Sequence, residues 1–563
     1  MKRTLDVALI TLLDGDLVQH PEHLGVAYLA GELRKAGHTV EILAISPANE
    51  AAMTARVIAL APRLVGFSLT TASFARATRI GRQVREALGT ATHITAGGPL
   101  ATSLGASLLR NPAWDFLDSS VRGDGELPII DLLAALAHGK RLDAVPSLCH
   151  HTLTGVVCNP LAGAINDLSS FSLPSRDQIQ RGPQATARIA TSRGCTSRCS
   201  FCNAPHAGNL LAGKVWRGRA PEDVVDEIVT IYHEMNVSDF EFVDSTFEDP
   251  GGTAWAKQRI AAMAQLLIQR NLNLTFGCCV QAQNWTENDL WLIDLLRRAG
   301  LQRVLIGVES GSAEALKRWL KKATPADNRR AIDLFRSRSI YVNIGFIMFH
   351  PHATWEEVME NASFLRSTAC HNLRLFSTRM EVYPGTGILE TLRREDLLLP
   401  EYDQTLNPFA YKFIDAQVAQ LARAMALLAG EEYASSGTVT VLPPHLQFAF
   451  FDMTLHAQLT RKMRADAPAG RRTPRSQKFL ADYGAICGEI SRFNFDVFQT
   501  TAGRVRSGAS AEQAAACMVD DVQDWYAEKI EEIALLYRNC MDEQLPLARP
   551  GSLDYSNFMV GVQ

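Results

Sequence analysis

Residues 190–202 read Ala190-Thr-Ser-Arg-Gly-Cys-Thr-Ser-Arg-Cys-Ser-Phe-Cys202. The stretch sets Cys195, Cys199 and Cys202 at the spacing Cys-x3-Cys-x2-Cys. An apolar-leaning run, Ala187–Thr191, precedes it and reads as a strand end, so the cysteines lie on the loop leaving that strand. Thiolates hold iron–sulfur clusters, and a cubane needs one ligand per iron. Three cysteines without a close fourth leave one iron open to an exchangeable ligand. Phe201 gives such a cluster an apolar neighbour. Zinc is the competing occupant, but it usually takes four tetrahedral ligands in two separated pairs. Cys149 and Cys158 are too distant in sequence to supply the second pair, which leaves His206 as the available fourth ligand.

The rest of the chain narrows the setting. It has 563 residues, 47% of them hydrophobic and 21% charged, as expected of a globular protein of several domains. A net charge of -4 implies no general polyanion-binding surface, which argues against a nucleic-acid partner. No apolar run approaches the roughly 20 residues that span a bilayer. The N-terminal stretch, Met1–Asp16, reads as a first strand rather than a leader, because its apolar run stops at Asp14-Gly-Asp16 without a small-residue cleavage site. The eleven cysteines are scattered apart from the central trio, which fits a reducing cytoplasm better than a disulfide scaffold.

Before the cysteines, residues 1–145 alternate strand and helix patterns. Strands are expected at Leu5–Leu12, Thr39–Ile45, Leu64–Leu69, His93–Ala96 and Trp114–Val121. Helices are expected at Gly25–Ala36, Ala51–Ala61, Phe74–Leu88 and Pro128–Ala137. This alternation predicts a doubly wound, Rossmann-like (flavodoxin-like) parallel sheet that binds ligands beyond the carboxyl ends of its strands. The loops there are Leu13–Leu24, Thr70–Phe74, Gly97–Pro99 and Arg122–Glu126. Residues 146–184, rich in proline, read as a linker with a short hairpin at Thr154-Gly155.

From 185 to 390 the alternation resumes. Strands are expected at Ala187–Thr191, Asp239–Val243, Leu274–Cys279, Arg303–Val308, Tyr341–Met348 and Arg374–Val382, with helices such as Pro221–Met235 between them. In parallel strand–helix units, ligands gather at the strand carboxyl ends. Those ends carry Asp244-Ser-Thr-Phe247, Gln281 and Gln283, Gly307-Val-Glu-Ser-Gly-Ser312, Gly345-Phe-Ile-Met-Phe-His-Pro351 and Arg379-Met-Glu-Val-Tyr-Pro-Gly-Thr386. An acid at such a position is costly to bury without a partner, so Glu309 reads either as a ligand contact or as paired with a core arginine such as Arg303. His350 and His352 read equally as catalytic or as surface-loop residues. Residues 391–563 read as mainly helical: Ala416–Ala429, Ser476–Phe495 and Gln513–Tyr537, with one short strand at Gly437–Leu442. The basic run from Arg461 to Arg472 reads as a solvated face.

Cys195, Cys199, Cys202 and the aromatic Phe201 resemble the cluster motif of the radical S-adenosylmethionine (SAM) superfamily. The resemblance implies a partial (β/α)6 barrel and a [4Fe-4S] cluster on the three cysteines, its open iron chelated by the amino and carboxylate groups of SAM. By the same resemblance, Phe201, Asp244, Ser245, Gln281, Glu309, Ser310, Gly345, Ile347 and Met348 would contact SAM. Glu381 and Tyr383 would point near the reacting centre as candidate catalytic residues. Gly97-Gly98-Pro99 and Gly123-Asp-Gly-Glu126 are similar to loops of the cobalamin-binding domain that precedes the core in one large subfamily, the class B radical SAM methyltransferases. Thr70, Thr71, Ser73, Gly97, Gly98, Pro99, Gly123, Gly125 and Glu126 would then hold cobalamin. The Asp-x-His-x-x-Gly motif that supplies a histidine to cobalt is missing here.

This resemblance implies that one SAM methylates cobalamin while a second yields a radical that abstracts a substrate hydrogen. The methyl group then passes from methylcobalamin to an unactivated carbon of a small natural-product intermediate. The C-terminal third would cap the barrel mouth, and a flavodoxin or ferredoxin would supply electrons. Two further readings stand beside it: a cobalamin-dependent rearrangement, ring contraction or cyclisation, and a non-catalytic corrinoid or redox sensor. Sulfur insertion is disfavoured, because adjacent Cys278 and Cys279 on one strand point to opposite faces.

Overall fold

The computed structural model describes residues 5–13, 22–163, 165–182, 185–204, 215–430, 444–446, 448, 452 and 474–541. His206, the expected strand at Gly437–Leu442 and the basic run from Arg461 to Arg472 lie outside the described residues.

The first sheet is built from β1 (Val7–Leu12), β2 (Val40–Ile45), β3 (Leu64–Ser68), β4 (His93–Gly97) and β5 (Ser119–Val121). These run parallel, and the strand order β2-β1-β3-β4-β5 places a switch point between β1 and β3. Side-chain alternation divides the core into two layers. Val7 and Leu9 of β1 enter one face with Val26 and Leu33 of the first helix. Ala8 and Ile10 enter the other, with Val65, Phe67 and Ile80. The helix Phe74–Leu88 has the expected bounds. The last parallel strand is shorter than expected, because Asn111 caps Ala113 N and Pro112 starts a 3-10 turn at Pro112–Trp114, leaving Trp114 as core filling.

The hairpin expected around Thr154-Gly155 forms β6 (Leu148–Thr152) and β7 (Gly155–Cys158), which extend the first sheet as antiparallel strands. Its register sets Cys149 opposite Cys158, and the two form a disulfide. Sequence reasoning had not paired these two cysteines. The remaining linker is fastened to the first helix. Ser175 N donates to the Ala27 carbonyl at 2.9 Å, and a side chain at Gly31 would collide with the Leu173 carbonyl.

The second sheet contains β8 (Thr186–Ile189), β11 (Asp239–Phe242), β12 (Thr275–Gln281), β13 (Leu301–Glu309) and β14 (Tyr341–Phe346), all parallel, in the order β14-β13-β12-β11-β8. The helix Pro221–Met235 has proline at its first turn with Glu222 and Asp223 beside it, and its bounds match the expectation. The sixth strand differs. Asn372 accepts from Arg374 N and winds Leu373–Phe376 into a 3-10 turn, so only the following segment runs extended. It meets the barrel edge through a bridge between Phe349 and Arg379.

The C-terminal helices Ala416–Leu428, Pro474–Arg506 and Val519–Met541 join the same apolar core as the barrel. Tyr483 meets Tyr341, at the start of β14, through Asp452, while Arg506 lies over Trp355, the first residue of the helix Trp355–Ser367. The long helix therefore runs along the barrel's flank. Among the described residues it acts as a buttress; residues 431–443 and 453–473 of the expected cap lie outside them.

Candidate active site

The cysteine loop leaves β8 through β9 (Ser192–Arg193), which pairs antiparallel with β10 (Arg217–Gly218). Gly194 follows at φ +92°, and a Cβ there would sit 1.8 Å from the Val215 carbonyl oxygen, so only glycine fits. Asp244, at the end of β11, anchors the loop. Its carboxylate accepts from Ser192 Oγ at 2.6 Å and from Thr191 Oγ1 at 3.1 Å. Burial pushes this carboxyl up, against the pull of Ser192, Arg259 and Thr191. Asp249 accepts from Thr196 N at 3.1 Å and Thr196 Oγ1 at 2.8 Å, fixing the next turn.

Donors then converge on the first cysteine. Ser197 N lies 3.4 Å and Gln281 Nε2 3.6 Å from Cys195 Sγ. Gln281 is held by Thr246 Oγ1 at 2.9 Å and by Ser197 Oγ at 2.9 Å, and Gln283 Nε2 donates to its Oε1 at 2.5 Å. Behind Gln281, buried Glu248 accepts from Gln281 N at 2.8 Å and Asn284 Nδ2 at 2.9 Å, and burial pushes its carboxyl up to about 7. Ser245 is exposed beside this group. Phe201 is buried edge-on to Trp319, with ring centroids 5.8 Å apart.

These thiols fit an iron–sulfur cluster. Burial raises all three, Cys199 to about 11 and Cys202 to about 12, so each needs a bound cation to ionise, as ligation to iron provides. Three thiols on one loop, without a second pair beside them in sequence, match the donor set of such a cluster.

Across the mouth, Glu309 ends β13 at φ +64° and pairs with buried Lys321 at 2.9 Å. The partner is not Arg303, whose guanidinium goes to Asp239 at 2.9 Å and Glu241 at 2.6 Å. Burial works against the Lys321 ammonium, but Glu309 and the thiols of Cys199 and Cys202 raise it overall, so this cation faces the cluster side. Side chains at Gly307 or Gly345 would crowd the pair, since a Cβ at Gly307 would lie 2.8 Å from both Glu309 Oε1 and Lys321 Nζ. Ile347 N donates to the Glu309 carbonyl, and Met348 is fully buried against the extended sixth segment. Ser310 is turned away: its hydroxyl donates to Asn361 Oδ1 at 2.7 Å. Glu381 and Tyr383 are half-buried on that sixth segment, and the Tyr383 carbonyl accepts from Thr386. His350 is buried edge-on to Trp319, and His352 meets Glu395 at 2.5 Å.

The loops of the first sheet face the cysteine loop. Gly98, at φ +91°, leaves room beside the Leu69 backbone that a Cβ would fill at 3.0 Å, and Gly97 and Pro99 border open space. Ser73 is spent locally, since its hydroxyl accepts from Thr70 N and donates to the Thr70 carbonyl, while Thr71 stays half-exposed. Gly123 N donates to Thr102 Oγ1, and Gly125 packs on Leu29. Glu126 does not face open space. Its carboxylate takes Arg193 Nη2 at 2.6 Å, while Asp124 takes Arg193 Nη1 at 3.1 Å and Arg217 Nη1 at 2.5 Å. The Arg193 guanidinium also lies over Tyr28 at 5.0 Å and Phe171 at 5.2 Å. The residue two positions before the first cysteine thus rivets the cysteine loop to the loop after β5. Sequence reasoning had passed over Arg193 and Lys321.

Residues 12–133 match the B12 binding domain, and residues 189–365 match the Radical SAM superfamily. An uncharacterized methyltransferase of Pyrococcus horikoshii is 26% identical over 399 residues, covering 70% of this chain and 82% of that protein. The anaerobic magnesium-protoporphyrin IX monomethyl ester cyclase of Rubrivivax gelatinosus is 27% identical, covering 61% of each. The chain's fold is similar to that of the cobalamin-dependent S-adenosylmethionine radical enzyme OxsB, solved with aqua-cobalamin and S-adenosylmethionine bound. The TM-score is 0.66 at 20% identity, covering 97% of this chain and 85% of that one. The chain therefore joins a B12 binding domain match to a Radical SAM superfamily match, its first sheet riveted to the three-cysteine loop.

Proposed function

We propose that this chain is a cobalamin-dependent radical SAM methyltransferase acting on an unactivated carbon of a small natural-product intermediate. The observation that carries the reading is the Arg193 rivet. It joins the cysteine loop to the carboxyl-end loops of the first sheet, as a reaction needing both cofactors in one chamber requires. When bound, the cluster with SAM supplies a carbon radical and cobalamin supplies a transferable methyl group. The chain's own residues do the rest. Cys195, Cys199 and Cys202 hold the irons, and Ser197 N and Gln281 Nε2 donate to a ligand sulfur. Lys321 and Glu309 present a paired cation and anion, suited to the carboxylate and the amino or ribose groups of SAM. Glu381 and Tyr383 stand on the sixth segment toward the substrate. Gly97, Pro99 and Thr71 leave backbone open to a bulky corrin, and Gly98 lets that loop turn tightly against Leu69. An oxygen-labile cluster suits a reducing cytoplasm, with a flavodoxin or ferredoxin as electron donor.

Cyclisation or rearrangement is the second reading, favoured by the cyclase among the relatives. One preparation separates the two. Protein made anaerobically with hydroxocobalamin, desalted and reduced, is expected to retain stoichiometric corrinoid and to convert SAM to both S-adenosylhomocysteine and 5'-deoxyadenosine. Retained corrinoid with 5'-deoxyadenosine alone would replace methyl transfer with the second reading. Absence of corrinoid beside an intact cluster spectrum would refute both.

A further inference from the structure

At the amino-terminal end of the barrel strands, away from the cluster, a buried polar node joins three parts of the chain. Asp452 is at its centre. Tyr341, the first residue of β14, donates to Asp452 Oδ2 at 2.7 Å, and His371 Nε2 lies 2.9 Å from the same oxygen. Tyr483, on the helix Pro474–Arg506, donates to Oδ1. Cys487 lies one helical turn after Tyr483 and is buried. The ligand atoms of His371, Asp452 and Cys487 all fall within 4.8 Å of one another. A cavity of about 30 Å³, lined in part by Tyr341, Cys370, His371 and Asp452, opens onto the node. That is room for one or two waters, or for an ion with a water.

We propose that His371, Asp452 and Cys487 bind a structural zinc ion, with a water from the cavity as the fourth ligand. One imidazole, one carboxylate and one thiolate form a mixed set that zinc accepts, at bond lengths of about 2.0–2.3 Å. Charge supports the match. A thiolate and a carboxylate balance a divalent cation, so the complex is neutral where an unpaired ion would be costly. Among the described residues, Arg336, which also lines the cavity, is directed elsewhere, its guanidinium donating to the Thr368 carbonyl. Binding releases the Cys487 proton to solvent and turns His371 Nε2 from hydrogen-bond partner of Asp452 into ligand, its remaining proton on Nδ1. Tyr341 and Tyr483 stay as donors that orient the ligating carboxylate, the outer support that metal sites commonly have. Filled, the site staples the flanking helix to the base of the barrel.

The test is metal analysis of the full chain, expressed with zinc, reconstituted anaerobically with iron and sulfide, and dialysed against a weak chelator. One zinc per chain beside the cluster iron is expected. It should persist in a Cys195→Ala/Cys199→Ala/Cys202→Ala variant and vanish in His371→Asn/Cys487→Ser. Zinc-edge X-ray absorption of the wild-type protein should show one sulfur and three nitrogen or oxygen neighbours. This measurement decides the matter even if the double variant does not fold. Zinc absent from the wild-type protein, zinc lost with the cluster cysteines, or a sulfur-only shell would each overturn the proposal.

Discussion

Replacing Arg193 with Met removes the fork that joins the two cofactor loops while keeping an apolar stem over Tyr28 and Phe171. Asp124 retains Arg217 at 2.5 Å, so the loss falls on Glu126, whose side chain is only 4% exposed. Stripping one partner from a buried ion pair costs about 3–5 kcal/mol. Arg193 itself is 22% exposed, and solvent screening reduces this to about 2–3 kcal/mol. If that energy holds the loop after β5 closed, amide exchange over residues 123–126 should speed up about 30- to 150-fold. The companion variant Arg193→Met/Glu126→Gln carries no stranded carboxylate and should recover much of the protection, which makes the cycle a direct measure of the coupling. Function should divide. Iron content and reductive SAM cleavage to 5'-deoxyadenosine should survive, while S-adenosylhomocysteine formation falls, because a shift of about 1 Å between reacting groups can cost about 10²-fold. Unchanged exchange at 123–126, or equal loss of both SAM products, would refute the rivet as a coupling element.

Gly194→Ala should fail to assemble the cluster, because the new methyl group meets the Val215 carbonyl oxygen; iron and sulfide analysis checks this, and full iron content would contradict the geometry. Lys321→Met strands buried Glu309 and should cost about 3–5 kcal/mol, seen as a lower thermal midpoint and weaker SAM binding, with no change in either counting against the pairing. Glu248 has its carboxyl raised from 4.5 to about 7, so its stability contribution is complete below pH 4.5 and is lost as pH rises through 7. The loss is at most about 3 kcal/mol. Glu248→Gln should flatten the decline in thermal midpoint between pH 4.5 and 7, and a parallel decline in both proteins would remove Glu248 as its source.

Local pattern made the regular elements legible. Phe74–Leu88 and Pro221–Met235 could be bounded from apolar period, proline and glycine alone. Where a short polar side chain competes for the backbone, the pattern misled. Asn372 captures an amide and winds Leu373–Phe376, which reads as strand, into 3-10 helix, and Asn111 likewise draws Trp114 out of the expected strand. The cysteine trio was legible because its spacing is its chemistry. Partners were less so, since nothing in sequence marks which acid a given arginine will meet. Glu126 lay on a glycine loop and read as a cofactor contact, yet its partner stands 67 positions away. Lys321 left one usable trace: Gly307 and Gly345 stand in register on adjacent strands, and two facing glycines signal space kept for a larger neighbour. The Cys149–Cys158 disulfide was countable, because a turn at Leu153-Thr154 pairs Thr152 with Gly155 and hence 149 with 158.

The rivet also bears on how such chains can be recombined. A domain boundary drawn in the linker looks permissive, yet Arg193 and Arg217 answer acids from before it, and Phe171 within the linker covers the guanidinium. Grafting a foreign corrinoid domain onto this barrel would bring together halves of two different locks. A working chimera would have to carry Asp124, Glu126, Phe171, Arg193 and Arg217 as one inherited unit, wherever the crossover is placed.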